Sequence, residues 1–231
     1  MIAVPAKQDL IANSDRLRGR LICLSGVDGS GKTSVSRSLI DELEAAGVGC
    51  KYVWLRNARL LCVPFLALCY LTGFAKHVYI EGRRVGSYYF YKNQVVARLW
   101  LWISAVDMLI VTLRDVYLPL RRGHTVVADR YVIDACVDYQ CDSHINAAAS
   151  YPFKLMLRLL PKRYLTVILD IDEEESLQRK SDSLNSDYVK QRRAAYLLMA
   201  RKHDIPVINT ASIGTREVTQ VVLDYALNFY A

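Results

Sequence analysis

The sequence is poor in the features that mark secreted, metal-centred or membrane-spanning chains. Its six cysteines (Cys23, Cys50, Cys62, Cys69, Cys136, Cys141) form no Cys-x-x-Cys pair, and its four histidines (His77, His124, His144, His203) are scattered, so neither a disulfide framework nor a metal centre is indicated. The first twenty residues, ending Asp15-Arg16-Leu17-Arg18-Gly19-Arg20, hold no apolar core of signal-peptide length. The longest uncharged run, Leu60 to Ala75, is 16 residues and is broken by Pro64 and Gly73. A bilayer span needs roughly 20. Reduced thiols and a cytoplasmic location are the expectation. Acidic residues are also locally scarce: between 51 and 100 only Glu81 faces Lys51, Arg56, Arg59, Lys76, Arg83, Arg84, Lys92 and Arg98. That window's surplus of +7 equals the net charge of the whole chain, so the remainder is neutral overall. Such a concentration implies an anionic partner: a substrate, a lipid headgroup or a polynucleotide.

What is present is an ordinary globular composition, 52% hydrophobic and 23% charged over 231 residues, enough for one α/β domain. Strand-like and helix-like patterns alternate, as in a parallel sheet with crossover helices. Leu21–Leu24, Tyr52–Leu55, Thr125–Ala128, Leu165–Leu169 and Val207–Ile208 read as five strands. Val35, Leu39, Leu43 and Ala46 repeat at helical spacing before Gly47, and further helices are predicted near 93–118, 187–203 and 216–229. The expected organisation is an N-terminal extension over 1–19 and a three-layer P-loop domain over 20–231. Within that domain, 56–92 reads as a basic, aromatic helical segment without clear period. No repeat, linker or low-complexity tract interrupts the chain.

The chemistry-bearing motif is Gly26-Val27-Asp28-Gly29-Ser30-Gly31-Lys32-Thr33, which satisfies G-x-x-x-x-G-K-[ST]. Four such fixed positions arise by chance in about one chain of this length in a hundred. The buried strand before it and the amphipathic helix after it make the match far more specific. Glycines let backbone N–H groups converge on phosphate oxygens, and the helix N-terminus adds a favourable dipole. Lys32 can neutralise the β- and γ-phosphates, Thr33 offers a hydroxyl to Mg²⁺, and Ser34 closes the phosphate-binding set. A second anchor is Asp129-Arg130-Tyr131 at the end of a buried strand. There Asp129 can serve Mg²⁺ through water, and Arg130 can hold an acceptor phosphate.

These motifs, with Leu169-Asp170-Ile171-Asp172 and the following Glu173-to-Lys180 stretch in the same order, resemble the thymidylate kinase family of P-loop nucleoside monophosphate kinases. The resemblance spans roughly 20–50 and 120–230. It implies a five-stranded parallel sheet wrapped by helices, ATP and Mg²⁺ as cofactors, and phosphoryl transfer to a nucleoside monophosphate, usually dTMP. By the same likeness Asp28 faces the acceptor sugar, Arg130 and Arg56 bind the acceptor phosphate, and Arg179 or Lys180 closes over ATP within a lid at 172–190. A homodimer also suits the family.

The acceptor side departs from the pattern. Asp107 or Met108 stands where the family usually carries a base-reading Arg, and Asp134 and Asp138 follow the Asp129-Arg130-Tyr131 triplet. Four apart on a helix, Asp134 and Asp138 share a face. One reading makes it a solvated face; another aims carboxylates at an acceptor hydroxyl, on a sugar or lipid-linked glycan, which unlike a phosphate gains from a base. Asp107 alone is also compatible with altered base preference. A non-enzymatic nucleotide switch is a third possibility. The 56–92 segment reads either as a helical subdomain with solvated basic residues or as a peripheral patch for anionic lipid. Nucleic acid is not expected, since no recognised module accompanies the basic residues.

Overall fold

The computed structural model describes residues 7–55, 60–80, 83–143, 150–159, 161–179 and 186–231. Two short helices, α1 (Lys7–Ala12) and α2 (Ser14–Leu17), lead into β1 (Leu21–Ser25), α3 (Lys32–Ala45) and β2 (Cys50–Trp54). Next come α4 (Cys62–Leu71), the hairpin β3 (Ala75–Ile80) and β4 (Arg83–Tyr88), and α5 (Gln94–Val111), which runs through a π turn (Thr112–Tyr117) into α6 (Leu118–Arg121). The remainder is β5 (Thr125–Asp129), α7 (Val132–Ser143), α8 (Tyr151–Leu159), β6 (Leu165–Asp170), α9 (Glu173–Arg179), α10 (Ser186–His203), β7 (Val207–Asn209) and α11 (Thr215–Phe229).

Five strands form one parallel sheet in the order β2-β5-β1-β6-β7, with helices around it. Every residue of β1, β5 and β6 is buried, which is why these strands read as continuous apolar runs. Side-chain alternation divides the core. Ile22, Leu24, Val127, Val167 and Leu169 pack against α3 and α11, while Leu21, Cys23, Val126 and Ala128 pack against α5 and α7. Leu10 and Leu17 are buried in the first of these clusters, so the stretch from Leu10 to Leu17 packs on the domain core. All six cysteines are unpaired.

The 56–92 segment differs from its helical expectation. Its described residues hold the helix α4, an antiparallel pair of strands from Ala75 with Tyr88 to Ile80 with Arg83, and a 3-10 turn at Phe90–Lys92. Cys69, Ala75, Phe90 and Ala97 make a separate small core there, with Phe90 and Trp100 in ring contact at 5.0 Å. The length estimate also changes. The helix from Gln94 to Arg121 has 28 residues and is, among those described, long and apolar enough to cross a membrane by length and composition. Arg98, Asp107, Arg114 and Asp115 interrupt this helix in sequence, which is why the longest uncharged run lies at 60–75 instead.

Candidate active site

The order reverses direction around β1, so the loops leaving β1 and β5 open side by side at the carboxyl edge, where open α/β sheets bind ligands. The register Leu24↔Asp129 sets the end of β5 beside the start of the Gly-rich loop. Gly26 adopts φ 138°, and a Cβ there would lie 2.2 Å from the Leu169 carbonyl oxygen, so only glycine lets the loop pass so close to β6. Gly31, at φ 85°, opens α3 with nothing within 4 Å of the Cβ position. The loop thus leaves room above the helix N-terminus.

Lys32 is buried and donates to the Val27 carbonyl at 2.6 Å and to Ser30 Oγ at 3.2 Å. Burial is the main cause that lowers its pKa to about 7, and neighbouring Arg130 adds to it; Asp28, Asp134 and Asp129 pull the other way. Thr33 donates its hydroxyl to Asp129 Oδ2 at 2.5 Å, and Tyr52 donates to the same oxygen at 3.0 Å. Burial and that carboxylate raise the Tyr52 hydroxyl to about 12, keeping it a donor. The other oxygen, Asp129 Oδ1, is buried with no hydrogen-bond partner among the described residues. An orphaned carboxylate oxygen beside a threonine hydroxyl, next to a loop lined by backbone N–H groups, is a donor set that fits Mg²⁺ with a polyphosphate.

Arg130 follows at φ 73°, an uncommon conformation for a residue with a side chain. The turn sends its guanidinium back over the loop, where it pairs with Asp28 and with Asp134 Oδ1 at 3.1 Å and donates to the Gly26 carbonyl at 3.3 Å. Asp134 is fully buried. It also accepts from Ser25 Oγ at 2.6 Å, from Tyr196 OH at 2.7 Å and from the Tyr131 backbone N–H at 3.0 Å. The last bond is half of a capping box, an acidic third residue satisfying the amide at the start of α7. Neither a solvated face nor a carboxylate turned to an acceptor describes Asp134; it fixes Arg130. Asp138 has a similar task one turn on. Arg192 donates to it at 3.1 Å and to Asp142 at 2.8 Å, and stacks over the Tyr188 ring at 3.7 Å. Burial works against the Arg192 charge, but Asp138, Tyr188 and Asp142 outweigh it and hold its pKa above the ordinary value.

Asp107 corrects its expected role most clearly. Its carboxylate, 0% exposed, accepts the backbone N–H groups of Leu60 at 3.1 Å, Leu61 at 2.9 Å and Cys62 at 2.9 Å. It caps α4 from a neighbouring helix and, buried there, both its oxygens are engaged by those backbone amides rather than turned to a ligand.

In the stretch expected to form a lid, Ser176 of α9 donates to the Asp28 carbonyl at 2.7 Å, and a Cβ on Gly29 would approach the Ser176 carbonyl to 2.8 Å, so α9 rests on the loop. Arg179 is not turned toward the loop: it pairs with Glu175 and donates to the Thr210 and Ala211 carbonyls at 3.2 Å each. Arg56 and Lys180 lie outside the described residues. Gly26 to Ser34, Asp129, Arg130 and Asp134 come together here, whereas Asp107 and Asp138 serve elsewhere. Ser25, Tyr52, Ser176 and Tyr196 were not singled out from sequence. Only Tyr52 carried a signal, as a polar-tipped residue on a strand beside the Asp129 strand.

No protein-family model matches the chain. A probable thymidylate kinase of Pyrobaculum calidifontis is 30% identical over 105 residues, 42% of this chain and 51% of that protein. The chain therefore matches only about half the length of that relative. A probable thymidylate kinase of Staphylothermus marinus is 25% identical over 188 residues, 80% of this chain and 79% of that one. In fold, the chain resembles a crystal structure of thymidylate kinase from Ehrlichia chaffeensis, with TM-score 0.58 and 18% identity over 91% of this chain and 98% of that one. Sequence likeness to probable thymidylate kinases and fold likeness over nearly all of the chain thus agree with the phosphate-loop geometry: the chain is similar to thymidylate kinases in sequence and shares their fold.

Proposed function

We propose that the chain is an ATP- and Mg²⁺-dependent nucleoside monophosphate kinase, with dTMP as the first acceptor to test. One observation carries the reading: Lys32, the Thr33–Asp129 pair and Arg130 converge at the mouth of a single Gly-rich loop. ATP bound here would supply the phosphoryl group, with Mg²⁺ held through Thr33 and Asp129. In this reading Lys32 takes up a proton and meets the β- and γ-phosphates, while backbone N–H groups of Gly29 to Thr33 hold the same oxygens. Arg130, held by Asp134 and Asp28, would turn its guanidinium to the acceptor phosphate when that substrate binds. Positioning and charge neutralisation suffice, because a monophosphate brings an ionised nucleophile. Arg179 would leave the Thr210 and Ala211 carbonyls to close over the site.

A hydroxyl acceptor drew its support from Asp107, Asp134 and Asp138, and their bonds to backbone amides and arginines leave that reading without a motivating observation. The deciding experiment is ADP release from Mg-ATP with dTMP, dUMP, UMP, CMP, AMP and GMP. Strong stimulation by dTMP or dUMP is expected. Confirmed ATP binding with no stimulation by any of the six would overturn the proposal.

A further inference from the structure

The two oxygens of Asp129 have unlike surroundings. Oδ2 accepts from Thr33 Oγ1 at 2.5 Å and from the Tyr52 hydroxyl at 3.0 Å, while Oδ1 is buried with no hydrogen-bond partner among the described residues. The terminal torsion of an aspartate is broad and roughly two-fold, so half a turn exchanges the two oxygens. Donors fixed on one side prevent that exchange. Thr33 is one of them, but its hydroxyl oxygen is also the atom offered to Mg²⁺, so it serves two tasks. Tyr52 is the other.

Tyr52 reaches the carboxylate from a separate element. Strand β2 lies at the edge of the sheet beside β5, with Tyr52 opposite Val127 and Trp54 opposite Asp129. Side chains two apart on a strand share a face, so Tyr52 stands on the Asp129 face, one step back along the strand. That diagonal is within reach of an aromatic side chain. Val127 on the same face packs against α3, and Thr33 comes from the first turn of that helix. The edge strand and the helix therefore approach Oδ2 from two directions. The Tyr52 hydroxyl also interacts with Thr33, which ties the three groups into one set. A phenylalanine would fill the same space on β2; only the phenolic hydroxyl adds a donor.

We propose that Tyr52 is a positioning residue of the metal site: its hydroxyl holds Asp129 by Oδ2 and so leaves Oδ1 for the cation. The inference rests on the kinase reading for the presence of Mg²⁺, and deepens it by giving the edge strand a part in holding the metal ligand. Groups that orient a metal ligand from behind change metal affinity about 10–100-fold when removed.

The test needs no turnover. The whole chain, in excess over the non-hydrolysable analogue β,γ-imido-ATP, is titrated with Mn²⁺, and free Mn²⁺ is read by electron paramagnetic resonance. Affinity for the analogue in EDTA is measured separately by calorimetry. Tyr52→Phe should weaken Mn²⁺ binding about tenfold or more and leave the analogue's affinity in EDTA within about twofold. Its melting temperature should fall by no more than about 4 °C, the scale of one partly exposed hydrogen bond. In an Asp129→Asn background the same change should alter Mn²⁺ affinity by less than about twofold, because the carboxylate it acts on is gone. Equal Mn²⁺ affinity in Tyr52→Phe and the parent overturns the inference and leaves the kinase reading standing. So does an equal loss in both backgrounds, since Tyr52 would then act independently of Asp129. An analogue that binds neither in EDTA nor with Mn²⁺ overturns the inference and the kinase reading together.

Discussion

Two ends of this molecule treat polar groups in opposite ways. At the carboxyl edge of the sheet, charged side chains are buried and tied together: Arg130, Asp28, Asp134 and Tyr196 share one bonded cluster, while Lys32 has a pKa lowered to about 7. On the α4–hairpin–α5 side, aliphatic side chains stand in solvent and the buried Asp107 carboxylate is spent on backbone amides. The first end accepts the desolvation cost of buried charges held close together; the second leaves apolar area exposed. In the proposed reading, that buried charge serves a phosphate.

The contrast can be sharpened at Lys32. Lys32→Ala should lower phosphoryl transfer by about a thousandfold or more while leaving the melting temperature unchanged, because the ammonium removed is already disfavoured by burial. A loss of melting temperature matching the loss of turnover in ADP release would show a structural lysine instead. Asp134→Asn should cost about 3–5 kcal/mol in urea unfolding, since it weakens three side-chain bonds and leaves Arg130 short of a counter-charge. Asp107→Asn should cost less, about 1–2 kcal/mol, the range for a lost helix cap, and should leave the acceptor KM unchanged.

The charge state of Lys32 gives a fourth test. Its folded value of about 7 lies below the ordinary 10.5, so at pH 8 the ligand-free site is largely neutral and the phosphate-bound one is protonated. ATP binding at pH 8 should take up close to one proton, measured by calorimetry in buffers of differing ionisation heat, and the uptake should vanish in Lys32→Met. Between about 7 and 10.5 the unfolded chain binds more protons than the folded one, so this group makes stability rise with pH there. The smallest effect belongs to the other end: Leu71→Asp, at 86% exposure, should move unfolding free energy by no more than about 0.5 kcal/mol. A larger change would mean the α4 face is covered within the protein itself.

The sheet was legible because β1, β5 and β6 are buried on both faces and read as unbroken apolar runs, and the loop because only glycine fits beside Leu169. The hairpin was not. Ala75–Ile80 mixes Lys76 and His77 with apolar residues, so its pattern lacks the clean alternation that marks a strand in sequence. The three acidic residues of the acceptor side were misjudged for a different reason. A carboxylate's partner is invisible in sequence when it is distant: Ser25 lies 109 residues from Asp134, and Arg192 lies 54 from Asp138. Local spacing showed Asp134 and Asp138 sharing a face but not what that face meets.

Asp107 also sets a timetable. The amides it satisfies, at Leu60, Leu61 and Cys62, emerge from the ribosome 45 to 47 residues before the carboxylate does. At about 5–20 residues per second, the most apolar short helix of the chain waits about 2 to 9 seconds for the group that closes its first turn. During that interval those three amides have water, not the Asp107 carboxylate, as their partner, so the first turn of α4 reaches its final bonding only after α5 has been made.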